Sequence, residues 1–171
     1  MKNLTLAAVI VMISACGSKN TEKQNTTDAT KIEQEIRSAN DQLYAGLNAM
    51  FTGDLELLNN LWSHSEYITD MGPFGGRLTS WNEVSEEFRK EAAMKFGGKI
   101  VCKDLHVFAG TDMGYIVCVE EGENMSADGK QVVVSHRATN IFHLENGQWK
   151  LVHHQTNIST QLEKAFEAET K

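Results

Sequence analysis

The 171-residue chain contains one proline, three cysteines and no surplus of basic side chains: 16 Lys and Arg face 23 Asp and Glu, a net charge of −7. Each scarcity excludes something. The acidic balance, with no basic stripe to overrule it, argues against a nucleic-acid surface. No GxxxxGK[ST] pattern occurs, so "GPFGGR" (72–77) is not a phosphate loop. No Ser-His-Asp or Cys-His arrangement stands out, and the cysteines lack an activating context. Metal-ligand spacing is missing too. His153 and His154 are neighbours in a strand and point to opposite faces, while His64 and Asp70 complete no recognisable set, so neither a metal nor a cofactor is expected. The longest apolar run, Leu4 to Ile13, is too short to span a bilayer.

That run has another use. Lys2, the apolar stretch and the small residues before Cys16 form a secretory signal, expected over residues 1–15. Ile13-Ser14-Ala15-Cys16 resembles the lipobox of bacterial lipoproteins, in which the cysteine is acylated and becomes the first mature residue. This implies a lipid anchor on Cys16 in a bacterial cell envelope, either periplasm-facing on the outer membrane or on the cell surface. Residues 16–30 continue without a large apolar side chain and read as a flexible tether. The domain is expected over 31–171. Its hydrophobic content of 41% and charged content of 23% are ordinary for one globular unit. Cys102 and Cys118 fall in predicted strands and read as buried free thiols.

Apolar residues at Ile36, Ala39, Leu43, Leu47 and Met50 recur with a helical period. "GDLELLNNLW" predicts a second helix with Asp54 at its N-cap, and "EYITDM" a strand running into the loop that holds Pro73. "SWNEVSEEF" predicts a third helix with Ser80 and Glu83 as a capping box, its face formed by Trp81, Val84 and Phe88, and Gly97-Gly98 as its stop. The period then changes to two. "KIVCKDLHVF", "MGYIVCVEE", "KQVVVSHRATNIFHL" and "QWKLVHHQTNI" are four strands in series, and "STQLEKAFEAE" a final short helix. Helices first and an antiparallel meander after predict an α+β single domain, helices packed on one face of a curved sheet.

Two hairpin registers follow. Asn146-Gly147 suits a type I′ turn, which pairs Leu144 with Trp149, Phe142 with Leu151, Asn140 with His153 and Ala138 with Gln155 on an inward, mostly apolar face. Arg137 and Thr156 then share the outer face, where they read as a dimer-interface pair ahead of a site for an anionic ligand. A turn at Gly110–Met113 brings Cys118 near Leu105 and puts Cys102 on the other face, so no disulfide is expected between them.

Helix, helix, strand, "GPFGG" loop, helix and four strands ending "RATNIF…NGQWKLVHHQT" resemble the SnoaL-like, nuclear-transport-factor-2-like superfamily over about Lys31 to Ile158. "LNAMFTGDLELLNNLWSHSE" is similar to the corresponding segment of ketosteroid isomerases. The resemblance implies a cone, a curved antiparallel sheet wrapped around N-terminal helices with an apolar pocket at its open end, and homodimers through the outer sheet face. It also carries residues over. Asp70 in "ITDMGP" matches the isomerase base, and Asn140 matches a second acid on a late strand. Tyr44 lies one residue out of register with the family's helix tyrosine, about 100° around a helix.

Asp70 is thus either a base for proton abstraction next to a carbonyl or an Asx-type turn residue. Asn140 is either an oxyanion donor or a buried amide satisfied across the strand pair. His153 reads as a pocket acid/base or hydrogen-bond partner. Trp62, Met71, Phe74 and Trp81 lie near the expected cone mouth; with Tyr44, His64 and Phe142 they make up the expected ligand contacts. Two functions follow: an envelope-anchored domain that binds a small hydrophobic molecule, or a cofactor-independent isomerase, cyclase or dehydratase with Asp70 as base and Asn140 and His153 orienting substrate. A protein-interaction dimer using the outer sheet is a third.

Overall fold

The computed structural model describes residues 18–95, 97–125 and 130–158. The signal segment, Cys16 and the helix expected over 159–169 lie outside the described residues. Helix α1 spans Ser18–Met50. It buries Ile36, Ala39, Leu43, Leu47 and Met50, the stripe its period predicts. It also begins earlier than expected. Residues 18–30, read as a flexible tether, are its first turns. That tract has no Gly or Pro after Gly17, and lengthening an existing helix avoids the cost of nucleation.

Helix α2 is Glu56–Leu61, and Asp54 Oδ1 accepts the Glu56 N–H at 2.9 Å, a cap of the expected kind. Strands β1 (Thr69–Met71) and β2 (Leu78–Thr79) flank the Gly-Pro loop; β2 is too short to carry a sequence period. Helix α3 is Ser80–Met94. Its cap is Thr79 rather than Ser80: the Thr79 N–H and hydroxyl both donate to Glu83 Oε2, at 2.6 and 3.1 Å. Strands β3 (Lys99–Ala109), β4 (Met113–Met125), β5 (Gln131–Glu145) and β6 (Gln148–Thr156) complete a six-stranded sheet of order β2-β1-β6-β5-β4-β3. The β3–β6 meander is antiparallel, as expected, and β1 joins its edge parallel to β6. The helices cover one face of this open, curved sheet. Between them Trp62, Ile68, Val84, Ile116, Phe142 and Leu151 are almost wholly removed from water.

Two β-bulges overturn parts of the predicted register. Asn146 and Gly147 take positive φ, 51° and 79°, and the β5–β6 pairs run as expected from Glu145–Gln148 to Phe142–Leu151. Val152 is then left over: Ile141 pairs with His153, Asn140 with His154 rather than His153, and Ala138 with Thr156 rather than Gln155. The bulge sits where β6 changes neighbours, from the Trp62–Leu151 bridge to β1, and it lets Leu151 and Val152 both be buried. Thr156 consequently turns inward and does not share the outer face with Arg137.

The second bulge lies in β3 between Lys103 and His106, with Asp104 at φ 52°. Asp104 and Leu105 together oppose Cys118. Cys102 therefore meets Glu120, which puts both cysteines on the inner face, not on opposite faces. Both are free thiols.

The turn from α3 into β3 depends on Gly98. Its φ is +82°, and an added Cβ would overlap the Glu123 carbonyl of the neighbouring strand. Gly98→Ala is expected to lower unfolding free energy by about 2 kcal/mol or more, read by urea denaturation. An unchanged midpoint would show that the strand edge moves away freely.

Candidate functional site

Inward-facing residues alternate along each strand, so the helix-facing wall can be read as columns. On β4 the column includes Ile116, Cys118, Glu120 and Asn124, and on β5 Val134, His136, Ala138, Asn140 and Phe142. Cross-strand pairing puts Glu120 beside His136, Asn140 beside His154, and Asp70 of β1 beside His154 on its other side. Helix α1 supplies Asn40 and Tyr44, one turn apart on its buried stripe, and α3 supplies Glu91, three residues beyond Phe88 on its apolar face.

These polar groups are wired together. Asn140 Nδ2 donates to Asn40 Oδ1 at 2.8 Å, which leaves Asn140 Oδ1 to accept from His154 Nδ1–H at 2.7 Å. His154 is therefore the Nδ1–H tautomer, and its Nε2 lone pair lies 3.9 Å from Glu120 Oε1. Tyr44 donates its hydroxyl to the same Oε1 at 3.0 Å, and its oxygen is 3.3 Å from Cys118 Sγ. Glu120 Oε2 faces His136 Nδ1 across 4.0 Å. Asn40 Nδ2 donates to Cys102 Sγ at 3.4 Å.

The network borders a cavity of about 40 Å³, room for a few ordered waters or the polar end of a small molecule. Leu47, Met50, Phe51, Pro73, Phe74, Ile100 and Val134 form its apolar wall. Glu91, Glu120, Asn124, His136 and His154 form the polar one. A larger, shallower groove of about 490 Å³ lies where α1 and α2 meet the β5–β6 turn. Two pairs of its lining residues are joined, Trp149 Nε1 donating to Glu35 and Lys150 Nζ to the Asn60 carbonyl.

Burial dominates the electrostatics. It pushes the Asp70 carboxyl up to about 7, against a downward pull from the Met71 N–H and a further rise from the Glu87 charge. Glu120 also rises to about 7 through burial, although the Tyr44 hydroxyl pulls it down. Glu91 is raised well above the usual carboxylate range, by burial first and then by the charges of Asp70 and Glu87. Burial, then the nearby His153, lowers His154 to about 3, so its imidazole is neutral. The Cys102 thiol is drawn down to about 7, chiefly by its hydrogen bond with Cys118, whose own thiol is raised by the same contact.

The residues singled out from the sequence are spread through the domain. Asp70 is inward and 5% exposed, its Oδ1 without a hydrogen-bond partner, and it stands next to the cavity-lining His154. Asn140 is buried as the central joint of the network. His153 is half-buried and turned away from Asn140, its Nδ1 2.6 Å from Thr69 Oγ1. Among the expected ligand contacts Phe74 lines the cavity, and Tyr44 reaches it through Glu120. Trp62 packs edge-on against Phe88 in the core, with ring centroids 5.8 Å apart. His64 and Trp81 stack on each other at 4.2 Å, Met71 is half-buried on β1, and Phe142 is core. Among the described residues no three His, Cys, Asp or Glu side chains converge as ligands of one ion would.

Sequence reasoning missed Glu91, Glu120, His136 and His154. Three had a signal. Glu91 continues the Val84–Phe88 stripe, His136 shares the parity of Ala138, and Glu120 that of Cys118. His154 had none, because the bulge at Val152 exchanged it with His153.

The fold and the motifs have known relatives. A 23% match over 104 residues links 61% of the chain to the F-box protein SKIP8 of Arabidopsis thaliana, and it spans 42% of that curated relative's length. A candidate dehydratase of the NTF2-like family from Streptomyces avermitilis superposes with a TM-score of 0.67 at 22% identity, covering 76% of this chain and 98% of that one. A candidate ketosteroid isomerase from Shewanella frigidimarina gives 0.57 at 16% identity, over 70% of this chain and 92% of that one. At such identities the two structures establish the fold alone. The SnoaL-like domain model matches residues 36–160, most of the described chain, and the protein belongs to the SnoaL-like family.

Proposed function

We propose that the domain binds a small, mainly apolar molecule in the cavity beneath the Gly72–Arg77 loop, with the polar end of the ligand against Glu120. The observation that carries this reading is the two-sided wall: seven apolar side chains opposite buried Glu and His groups, in a space too small for a large ligand. The lipobox-like Ile13-Ser14-Ala15-Cys16 supports a lipid anchor that holds this pocket in a bacterial envelope. The exposed apolar residues Phe108, Met113, Tyr115 and Val133 on the outer face of β3, β4 and β5 support association with a second copy.

A second reading is favoured by one observation. Asp70 is a buried carboxyl with an unpartnered oxygen, held near neutrality beside the cavity. That suits a base in a cofactor-independent isomerisation or dehydration, where a pKa near the working pH is most effective.

For binding, ligand-observed NMR with small aromatic fragments is expected to show saturation transfer that disappears in Val134→Trp, whose indole fills the cavity. Signals that survive in a folded Val134→Trp would place binding elsewhere. For catalysis, Asp70→Asn is expected to slow deuterium exchange next to the carbonyl of small ketones by about 100-fold, with its melting temperature retained. Equal exchange rates in the two proteins would remove Asp70 as a base.

The raised carboxyls also make stability depend on pH. Asp70 and Glu120 have pKa values near 7 when folded, against 3.8 and 4.5 ordinarily, so the folded chain holds protons that the unfolded chain releases. Their contribution is full at low pH and is lost as pH rises through about 7. His154, about 3 against 6.5, works oppositely and has finished by roughly pH 6.5. Wild-type stability is therefore expected to fall between about pH 4.5 and 7, the two carboxyls outweighing His154, and to fall less in Glu120→Gln. Urea titrations across that window check it; parallel curves would contradict the raised Glu120.

A further inference from the structure

Several of the polar atoms that border the cavity are free to accept a hydrogen bond. His154 Nδ1–H is spent on Asn140, so Nε2 offers a lone pair. Asn124 Nδ2 donates to the Gly97 carbonyl at 3.0 Å, and its side-chain oxygen is an acceptor on the cavity wall. Glu120 keeps Oε2 beyond hydrogen-bond range of His136, and Glu91 adds a second carboxyl. His136 Nδ1 is itself buried, without a partner, on the cavity wall. Among the described residues no Lys or Arg lines the cavity. A ligand carboxylate would set its lone pairs against the His154 and Asn124 acceptors and its charge against the buried carboxyls, in a place where unpaired polar groups are costly. A donor-rich cation would satisfy several acceptors at once.

Charge points the same way. The Asp70 charge acts on both Glu91 and Glu120, and among the described residues no Lys or Arg stands in the cavity wall to balance a charge on them. Phe51 and Phe74 are part of the apolar wall, and aromatic rings are side chains that can attract a cation.

We propose that the cavity takes the protonated amino group of a small amine with an apolar body, the ammonium pairing with Glu120 and donating to His154 Nε2 and the Asn124 carbonyl. This rests on the reading that the cavity is the ligand site. When the ammonium enters, a neutral Glu120 carboxyl loses its proton to solvent and becomes the counter-ion. A carboxyl that titrates near neutrality makes that step inexpensive.

The test uses the full-length chain and three probes with one ring and different heads: benzylamine, benzyl alcohol and benzoate. Calorimetry at pH 6.5 is expected to show benzylamine binding at least tenfold more tightly than either of the others. Its apparent enthalpy should change between buffers of different ionisation enthalpy by an amount that reports proton release. Glu120→Gln should cut benzylamine affinity tenfold or more and leave benzyl alcohol within twofold. Should Glu120→Gln not fold, the buffer dependence of the wild type decides alone. Benzyl alcohol or benzoate binding as tightly as benzylamine, with binding still lost in Val134→Trp, overturns the amine and leaves the pocket standing. No binding by any probe, or binding that Val134→Trp leaves intact, overturns both.

Discussion

The side-chain amide of Asn140 donates to Asn40 on α1 and accepts from His154 on β6, and the polar geometry of the site is oriented from those two bonds. Because one end of the amide is occupied by the helix, the other must receive the His154 proton. That fixes which ring nitrogen faces Glu120. Removing the amide would leave two buried partners unpaired at once, and each such group costs more than the hydrogen bond itself contributes. The same bonds tie α1 to the sheet, so the placement of Tyr44, and with it the hydrogen bond to Glu120, depends on them.

The bulges matter for a similar reason. A strand has a period of two, so one extra residue exchanges inside for outside along everything beyond it. At Val152 this brings His154 into the interior and leaves His153 with Thr69 on the half-exposed side. In β3 it brings Cys102 against Glu120 and Asn40, next to Cys118. Each bulge converts a residue that simple alternation would place outside into a member of the polar network.

How much of this was legible depended on whether a residue announced its own conformation. Asn146-Gly147 announces positive φ, and the turn and the first four β5–β6 pairs follow from it. Asp104, an aspartate inside a strand, is a residue type that tolerates left-handed backbone, and it carried an unread sign of the β3 bulge. Val152 carried none, since a valine flanked by Leu151 and His153 suits a regular strand equally well. The helical period of Ile36 to Met50 was clear, but it does not say where a polar N-terminal extension stops being helical.

The sequence by itself determined the α+β order, the buried stripe of α1, the NG hairpin and the family, because these rest on periodicities and turn chemistry local to a few residues. Tertiary structure alone decided which polar side chains meet. Asn40, Tyr44, Asp70, Glu91, Glu120 and His154 come from five different elements, and only packing sets their distances. It also raised the carboxyls, since a pKa responds to burial and neighbours that no single strand or helix encodes.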